Sequence, residues 1–170
     1  MKLRSFKSLC GMVSVLMLIV VGLAFLTQGW AVKAQNKAGE GQARKLEGTW
    51  RAQVTIRVCQ TGFEIRTFPA LVSFNQGGTF TGAAAGISPA RASADYGVWR
   101  NAGGQTYEAS SEAFLFSPTG DWIGTQRVKR IIEIGDDPDL LSATTSIEIV
   151  DTNNNVTGTG CATTVAQRLE

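Results

Sequence analysis

The sequence predicts an all-β domain, an eight-stranded antiparallel up-and-down β-barrel, that follows an N-terminal signal segment. Short runs rich in Val, Ile, Thr and aromatic residues alternate apolar and polar side chains, and Gly-, Asn- and Asp-containing turns separate them. No long stretch has the periodicity of an amphipathic helix. Because nearly every connection is short, consecutive strands are expected to form hairpins, and closing the sheet removes its two exposed edges.

Residues 1–34 have the pattern of a secretion signal. Three basic residues within the first eight precede an apolar run that ends at Leu26, and Val32 and Ala34 occupy the −3 and −1 positions of a cleavage site. The alternative is an uncleaved anchor, because an apolar run of about 18 residues nearly spans a bilayer. We therefore expect an exported protein, periplasmic or extracellular, that contacts a membrane only through this segment.

Residues 35–45 are polar and lack periodicity, which predicts a flexible linker before a barrel domain at 46–170. Cleavage after Ala34 removes four of the 16 basic residues and none of the 14 acidic ones, so the mature chain has a net charge of −2. A charge this small provides no field that attracts nucleic acid, and no nucleic-acid partner is expected.

The first four strands are predicted from their alternation and their turns. Apolar and polar residues alternate strictly over 49–59, and a second run, 67–75, ends at a Gln-Gly-Gly turn. A short strand over 79–83 is followed by a loose Ala-, Gly-, Ser- and Pro-containing connection at 84–94. The fourth strand, 96–101, ends just before a Gly-Gly pair that is typical of a tight hairpin.

The last four strands follow the same logic. The fifth, 105–117, ends at a Pro-Thr-Gly-Asp turn, and the sixth, 126–134, ends at a Gly followed by an acidic turn. Apolar and small residues alternate with polar ones over 141–150, and a turn rich in Asn leads into the last strand, 156–169. Eight strands enclose a space just wide enough for packed side chains or for one small ligand.

Two cysteines, Cys59 and Cys161, remain in the mature chain and are expected to form a disulfide. If the first and last strands pair with these two residues opposite each other, Ala52 lies opposite Arg168 and the apolar face of one strand meets the small-residue face of the other. Because disulfides between directly opposite residues are geometrically awkward, we expect an offset register. Two free thiols are the alternative.

The chain resembles lipocalins and their relatives, the calycins. These proteins open the first strand with Gly-x-Trp, as in Gly48-Thr49-Trp50, and pack that Trp against an Arg near the C-terminal end, here Arg168. The resemblance implies that Trp50 and Arg168 close the barrel by stacking. Four further segments are similar to a secreted bacterial lipocalin-like family of uncharacterised function: Cys59-Gln60-Thr61-Gly62, Phe74-Asn75-Gln76-Gly77-Gly78-Thr79, Tyr96-Gly97-Val98-Trp99 and Thr159-Gly160-Cys161-Ala162-Thr163.

The inward-facing residues are mostly apolar, which fits either a ligand pocket or a filled core. Arg130 is in phase with inward residues and requires a partner, either a ligand carboxylate or a structural acid, unless a bulge turns it outward. Tyr107 is interpreted as a hydroxyl donor at the barrel mouth or as a core residue. Trp99 is interpreted as a residue that lines an entrance or that has a surface or turn-packing role. With Phe74, these residues are the candidate ligand-binding set.

The absence of His excludes catalytic triads, Cys–His pairs, HExxH zinc sites and proximal-His haem. No acid–base pair stands out, and the acidic turn at 136–139 is interpreted as a hairpin turn and not as a calcium site. The sequence therefore predicts no catalytic residue, no metal site and no cofactor.

The function that these features favour is non-covalent binding of a small hydrophobic or amphipathic ligand. One alternative is a protein-interaction or inhibitor module on a filled barrel, with contacts made by the loops at 84–94 and 118–124. The other is an enzyme that resembles allene oxide cyclase or dirigent barrels, which guide a reactive intermediate with few polar groups. The sequence leaves the oligomeric state open.

Overall fold

Eight antiparallel strands form a closed barrel in the computed structural model, which describes residues 46–169. In chain order they are β1 (Gly48–Arg57), β2 (Glu64–Asn75), β3 (Thr79–Ala84), β4 (Asp95–Gly103), β5 (Thr106–Phe116), β6 (Trp122–Ile134), β7 (Leu140–Asp151) and β8 (Val156–Arg168). Each strand pairs with the next, and β1 also pairs with β8. The predicted all-β, up-and-down barrel is confirmed.

The predicted signal segment at 1–34 and the predicted linker at 35–45 lie outside the described residues. Leu46, the first described residue, is fully buried in the core. Between this residue and Leu169, no helix is long and apolar enough to cross a membrane.

The sixth strand differs most from its predicted bounds, because β6 begins at Trp122 and not at residue 126. Gly124 lies inside this extension, opposite Asp151 of β7. A Cβ atom at Gly124 would clash with the carbonyl oxygen of Val150, so glycine is the residue that permits this pairing. A residue type that usually weakens a strand therefore marks a close backbone approach here.

The register of β1 and β8 is offset by two residues from the pairing of Cys59 with Cys161. Trp50 lies opposite Arg168 and Arg57 lies opposite Cys161, so the directly opposed register, which would place Ala52 opposite Arg168, does not occur. Because β1 ends at Arg57, Cys59 lies in the following turn and reaches Cys161 from there, with 5.2 Å between their Cα atoms. The predicted disulfide and the expected offset are both confirmed.

The two ends of the barrel differ in what fills them. At the end where β1 begins and β8 ends, here called the closed end, large buried side chains fill the interior. They include Leu46, Trp50, Phe74, Phe80, Trp99, Tyr107, Ile132 and Leu141. At the opposite end, here called the open end, small residues such as Ala, Gly and Thr alternate with larger apolar ones on the inner face, and the connections β1–β2, β3–β4, β5–β6 and β7–β8 surround a mouth.

Candidate ligand-binding cavity

Trp50 and Arg168 form the floor of the barrel at the closed end. The fully buried Trp50 donates a hydrogen bond from Nε1 to the Leu46 carbonyl oxygen at 3.0 Å. The guanidinium carbon of Arg168 lies 4.2 Å from the Trp50 ring centroid, a cation–π contact. The structure therefore places in contact the pair that the lipocalin resemblance implied.

Arg168 also ties the chain ends of the floor together. Its Nε donates to Asp139 Oδ1 at 2.8 Å, and its Nη1 donates to the Glu47 carbonyl oxygen at 2.5 Å. Gly48 has a φ of 125°, a backbone conformation that disfavours larger residues, and a Cβ atom there would lie 2.8 Å from Arg168 Nη1. The glycine of the Gly-x-Trp segment thus makes room for the arginine.

A row of aromatic rings completes the floor. The centroids of Phe74 and Trp99 are 6.1 Å apart, and those of Trp99 and Tyr107 are 6.0 Å apart, in edge-on arrangements. Trp99 Nε1 donates to the Asn75 carbonyl oxygen at 3.1 Å. Burial raises the pKa of Tyr107, and its hydrogen bond with Asn101 partly opposes this increase.

The floor holds two of the four candidate ligand-binding residues. Trp99 and Tyr107 belong to the packed floor and do not line the cavity above it. Tyr107 therefore occupies the core position, and its alternative placement at the mouth is wrong, since the mouth is at the opposite end. Phe74 and Arg130 line the cavity. Binding by these two residues stays a prediction.

A cavity of about 490 Å³ lies between the floor and the open end. Its wall is mostly apolar, with side chains such as Val54, Val72, Val128 and Ile147. The space exists because small residues occupy inward positions of adjacent strands, namely Ala52 of β1, Ala143 of β7 and Ala162 and Ala166 of β8. Of the two readings of the interior, the structure has the pocket and not the filled core, and its volume is in the range typical of ligand sites.

Arg130 points into the barrel and is paired with a structural acid. Its Nη2 donates to Asp95 Oδ2 at 2.5 Å and its Nη1 donates to Ser111 Oγ at 2.6 Å. The guanidinium carbon lies 4.8 Å from the Phe80 ring centroid. The side chains of Arg130 and Asp95 are only 18% and 16% exposed, so their charges neutralise each other inside the wall.

Two polar residues of the wall were not identified from the sequence. Asp95 Oδ1 and Thr145 Oγ1 are buried and have no hydrogen-bond partner among residues 46–169. Thr145 lies opposite Arg130 in the β6–β7 register. Because it is in phase with the inward-facing Ala143 and Ile147, alternation along the strand could have predicted that its side chain faces the interior. Asp95 begins β4 just after a loose connection, where alternation gives no indication of its direction.

The connection between β3 and β4 covers part of the mouth. It is anchored to β5 by two backbone hydrogen bonds, Ser93 N to Phe114 O and Phe116 N to Arg91 O, both 2.9 Å. Ile87 of this connection lines the cavity. A Cβ atom at Gly86 would lie 2.6 Å from the Phe68 ring, so this ring packs directly against the connection.

The acidic turns take part in hydrogen bonds within the fold. Asp139 accepts from Arg168, and Asp151 accepts from the backbone and the side chain of Asn155, which lowers the pKa of Asp151. Within the described range, the structure brings together no group of three or more His, Cys, Asp or Glu residues that would hold a metal ion.

Comparison with protein-family models finds no match for this chain, and no curated protein is similar to it in sequence. The closed eight-stranded antiparallel barrel is compatible with a lipocalin-like fold.

Proposed function

We propose that this chain is an exported, lipocalin-like protein that binds a small hydrophobic or amphipathic molecule non-covalently inside its barrel. The observation that carries the proposal is the apolar cavity of about 490 Å³ above a closed floor. Empty volume in a core lowers the free energy of unfolding, so a barrel selected only for stability would fill this space with larger side chains.

The lipocalin-like assignment is supported by the floor. The guanidinium of Arg168 stacks on the buried indole of Trp50, as the sequence resemblance implies, and Gly48, which has a positive φ, leaves room for this contact. Export is supported by the bond between Cys59 and Cys161, because disulfides persist mainly in oxidising compartments.

The proposal is tested with the neutral fluorescent dye N-phenyl-1-naphthylamine, whose emission rises in apolar surroundings. We expect saturable binding to the purified barrel with one site per chain. The variant Ala162→Phe places a ring in the cavity and should weaken dye binding roughly tenfold or more. The variant Val165→Phe is the matched control, since Val165 lies on the same strand but is 63% exposed on the outer face.

Thermal unfolding followed by circular dichroism establishes that both variants are folded. Ala143→Leu, a smaller inward change on the neighbouring strand β7, replaces Ala162→Phe if the latter does not fold. The proposal is wrong if the folded wild-type barrel does not bind the dye, or if the inward and outward substitutions weaken binding equally.

A further inference from the structure

Three ionisable side chains line the cavity: Arg66, Asp95 and Arg130. Asp95 and Arg130 form an ion pair with each other. Arg66 forms no ion pair with any residue in 46–169, and Glu64, the acid two positions before it on β2, is bonded to Arg57 at 2.8 Å. The cavity wall therefore has a net charge of +1 that comes from Arg66.

Arg66 lies at the rim of the cavity, at the open end. It pairs with the cavity-lining Ile56 in the β1–β2 register. Its guanidinium carbon lies 5.2 Å from the centroid of the Phe68 ring, which packs against Gly86. This cation–π contact places the charge where the apolar wall meets water.

The ion pair of Arg130 and Asp95, which lies inside the barrel, is unsuited to binding the head group of an anion. The Arg130 guanidinium already donates to Asp95 and Ser111, so its charge is compensated. Asp95 Oδ1 is a buried acceptor without a hydrogen-bond partner among the described residues, and a second carboxylate beside it would be repelled. Head groups that are negatively charged are therefore disfavoured in the interior and favoured at the rim.

We propose that the ligand is a single-chain amphipathic anion, such as a medium-chain carboxylate, which binds with its tail inside the barrel and its head group at Arg66. This inference rests on the proposed function, because it assigns a charge and an orientation to the molecule in the same cavity. It also transfers to Arg66 the carboxylate-binding role that the sequence suggested for Arg130.

The experiment measures displacement of N-phenyl-1-naphthylamine by decanoate and by the uncharged decanol. Arg66→Gln should weaken decanoate binding about two- to fivefold, as expected for a partly solvated ion pair, and should leave decanol unchanged. Arg66→Glu should weaken decanoate roughly tenfold and strengthen the binding of the decyltrimethylammonium cation. The preference for decanoate should decrease as salt concentration rises.

Two control variants locate the head group. Arg51→Gln removes an exposed arginine from β1, where Arg51 lies outside the set of cavity-lining residues, and should change nothing. The double variant Asp95→Asn, Arg130→Gln removes both charges of the inner pair and should affect decanoate and decanol alike.

The outcomes separate this inference from the proposed function. If the folded wild-type barrel binds neither the dye nor either ten-carbon ligand, the proposed function itself fails. If the dye and decanol bind but Arg66→Glu leaves decanoate affinity unchanged, the placement of the head group is wrong and the cavity still binds ligands. A selective loss of decanoate in the double variant would place the head group inside the barrel and overturn the orientation.

Discussion

The closed and open ends of the barrel are built from different kinds of side chain. At the closed end, the rings of Trp50, Phe74, Trp99 and Tyr107 pack around the interior, and Arg168 covers the outside of the floor. At the open end, small inward residues leave a cavity, and a connection at 85–94 and a disulfide border the mouth. Large buried side chains fill one end, and the other end retains an open volume.

Strand β8 connects the two ends and shows how they differ. Its last residue, Arg168, stacks on the floor, its middle residue Ala162 leaves space in the cavity, and Cys161 holds the turn after β1. Aromatic packing stabilises the closed end, whereas the open volume at the other end forgoes such contacts. In this eight-stranded barrel, the packed floor and the cavity are therefore separated along the barrel axis.

The largest effect is expected from removing the floor. Trp50→Ala should lower the free energy of unfolding by about 3–5 kcal/mol, because it leaves a cavity under the Arg168 guanidinium and removes a buried hydrogen bond to Leu46. Urea unfolding followed by circular dichroism measures this loss.

Trp122→Ala is the matched control at the open end. Trp122 is 49% exposed, so its removal should cost less than half as much as the loss of Trp50. Equal losses for the two variants would show that the closed end does not dominate the stability of the barrel.

A smaller effect is expected from opening the disulfide. The double variant Cys59→Ser, Cys161→Ser should lower the free energy of unfolding by about 2–4 kcal/mol, because the bridge closes a loop with a sequence separation of 102 residues. Urea unfolding of this variant should match that of the reduced wild type. A variant as stable as the oxidised protein would contradict a stabilising role for the bridge at the open end.

The sequence predicted the strands and the floor because these depend on local signals. Alternation of period two identified the inward faces, and Trp50 and Arg168 marked the two strand ends that meet at closure. The sequence predicted that the β1–β8 register is offset from the direct pairing of Cys59 with Cys161, but it did not give the size of the offset, because a shift of two keeps every side chain on its face. In the observed register Trp50 and Arg168 lie directly opposite each other.

The cavity and the ion pair of Arg130 with Asp95 in its wall were harder to predict from the sequence. Alternation shows that Ala52, Ala143 and Ala162 face inward, but whether they oppose bulky neighbours depends on how strands far apart in sequence face each other across the barrel. The partner of Arg130 lies 35 residues away and reaches it across β5, so no spacing rule identifies Asp95. Likewise, periodicity predicts that the side chain of Tyr107 faces the interior, but periodicity alone does not show which end of the barrel it occupies.

The smallest effect is expected on the pH dependence of stability, through the titration of Tyr107 in the floor. Burial raises the pKa of Tyr107 above the usual tyrosine value of about 10, with the hydrogen bond of Asn101 opposing. Between that value and the raised pKa, the unfolded chain has released a proton that the folded chain retains, so the free energy of unfolding falls as pH rises through this window. At pH values below this window, the stabilisation that the raised pKa of Tyr107 provides is fully present.

The variant Tyr96→Phe leaves Tyr107 as the one tyrosine of the chain and allows its phenolate absorbance to be followed alone. In the folded variant we expect the titration midpoint above 10, and in urea we expect it to return to about 10. Tyr107→Phe should remove the decline of stability in this window. The same midpoint in the folded and unfolded chains would mean that water reaches Tyr107. The closed end would then be as open to solvent as the mouth, and the contrast between the two ends would be lost.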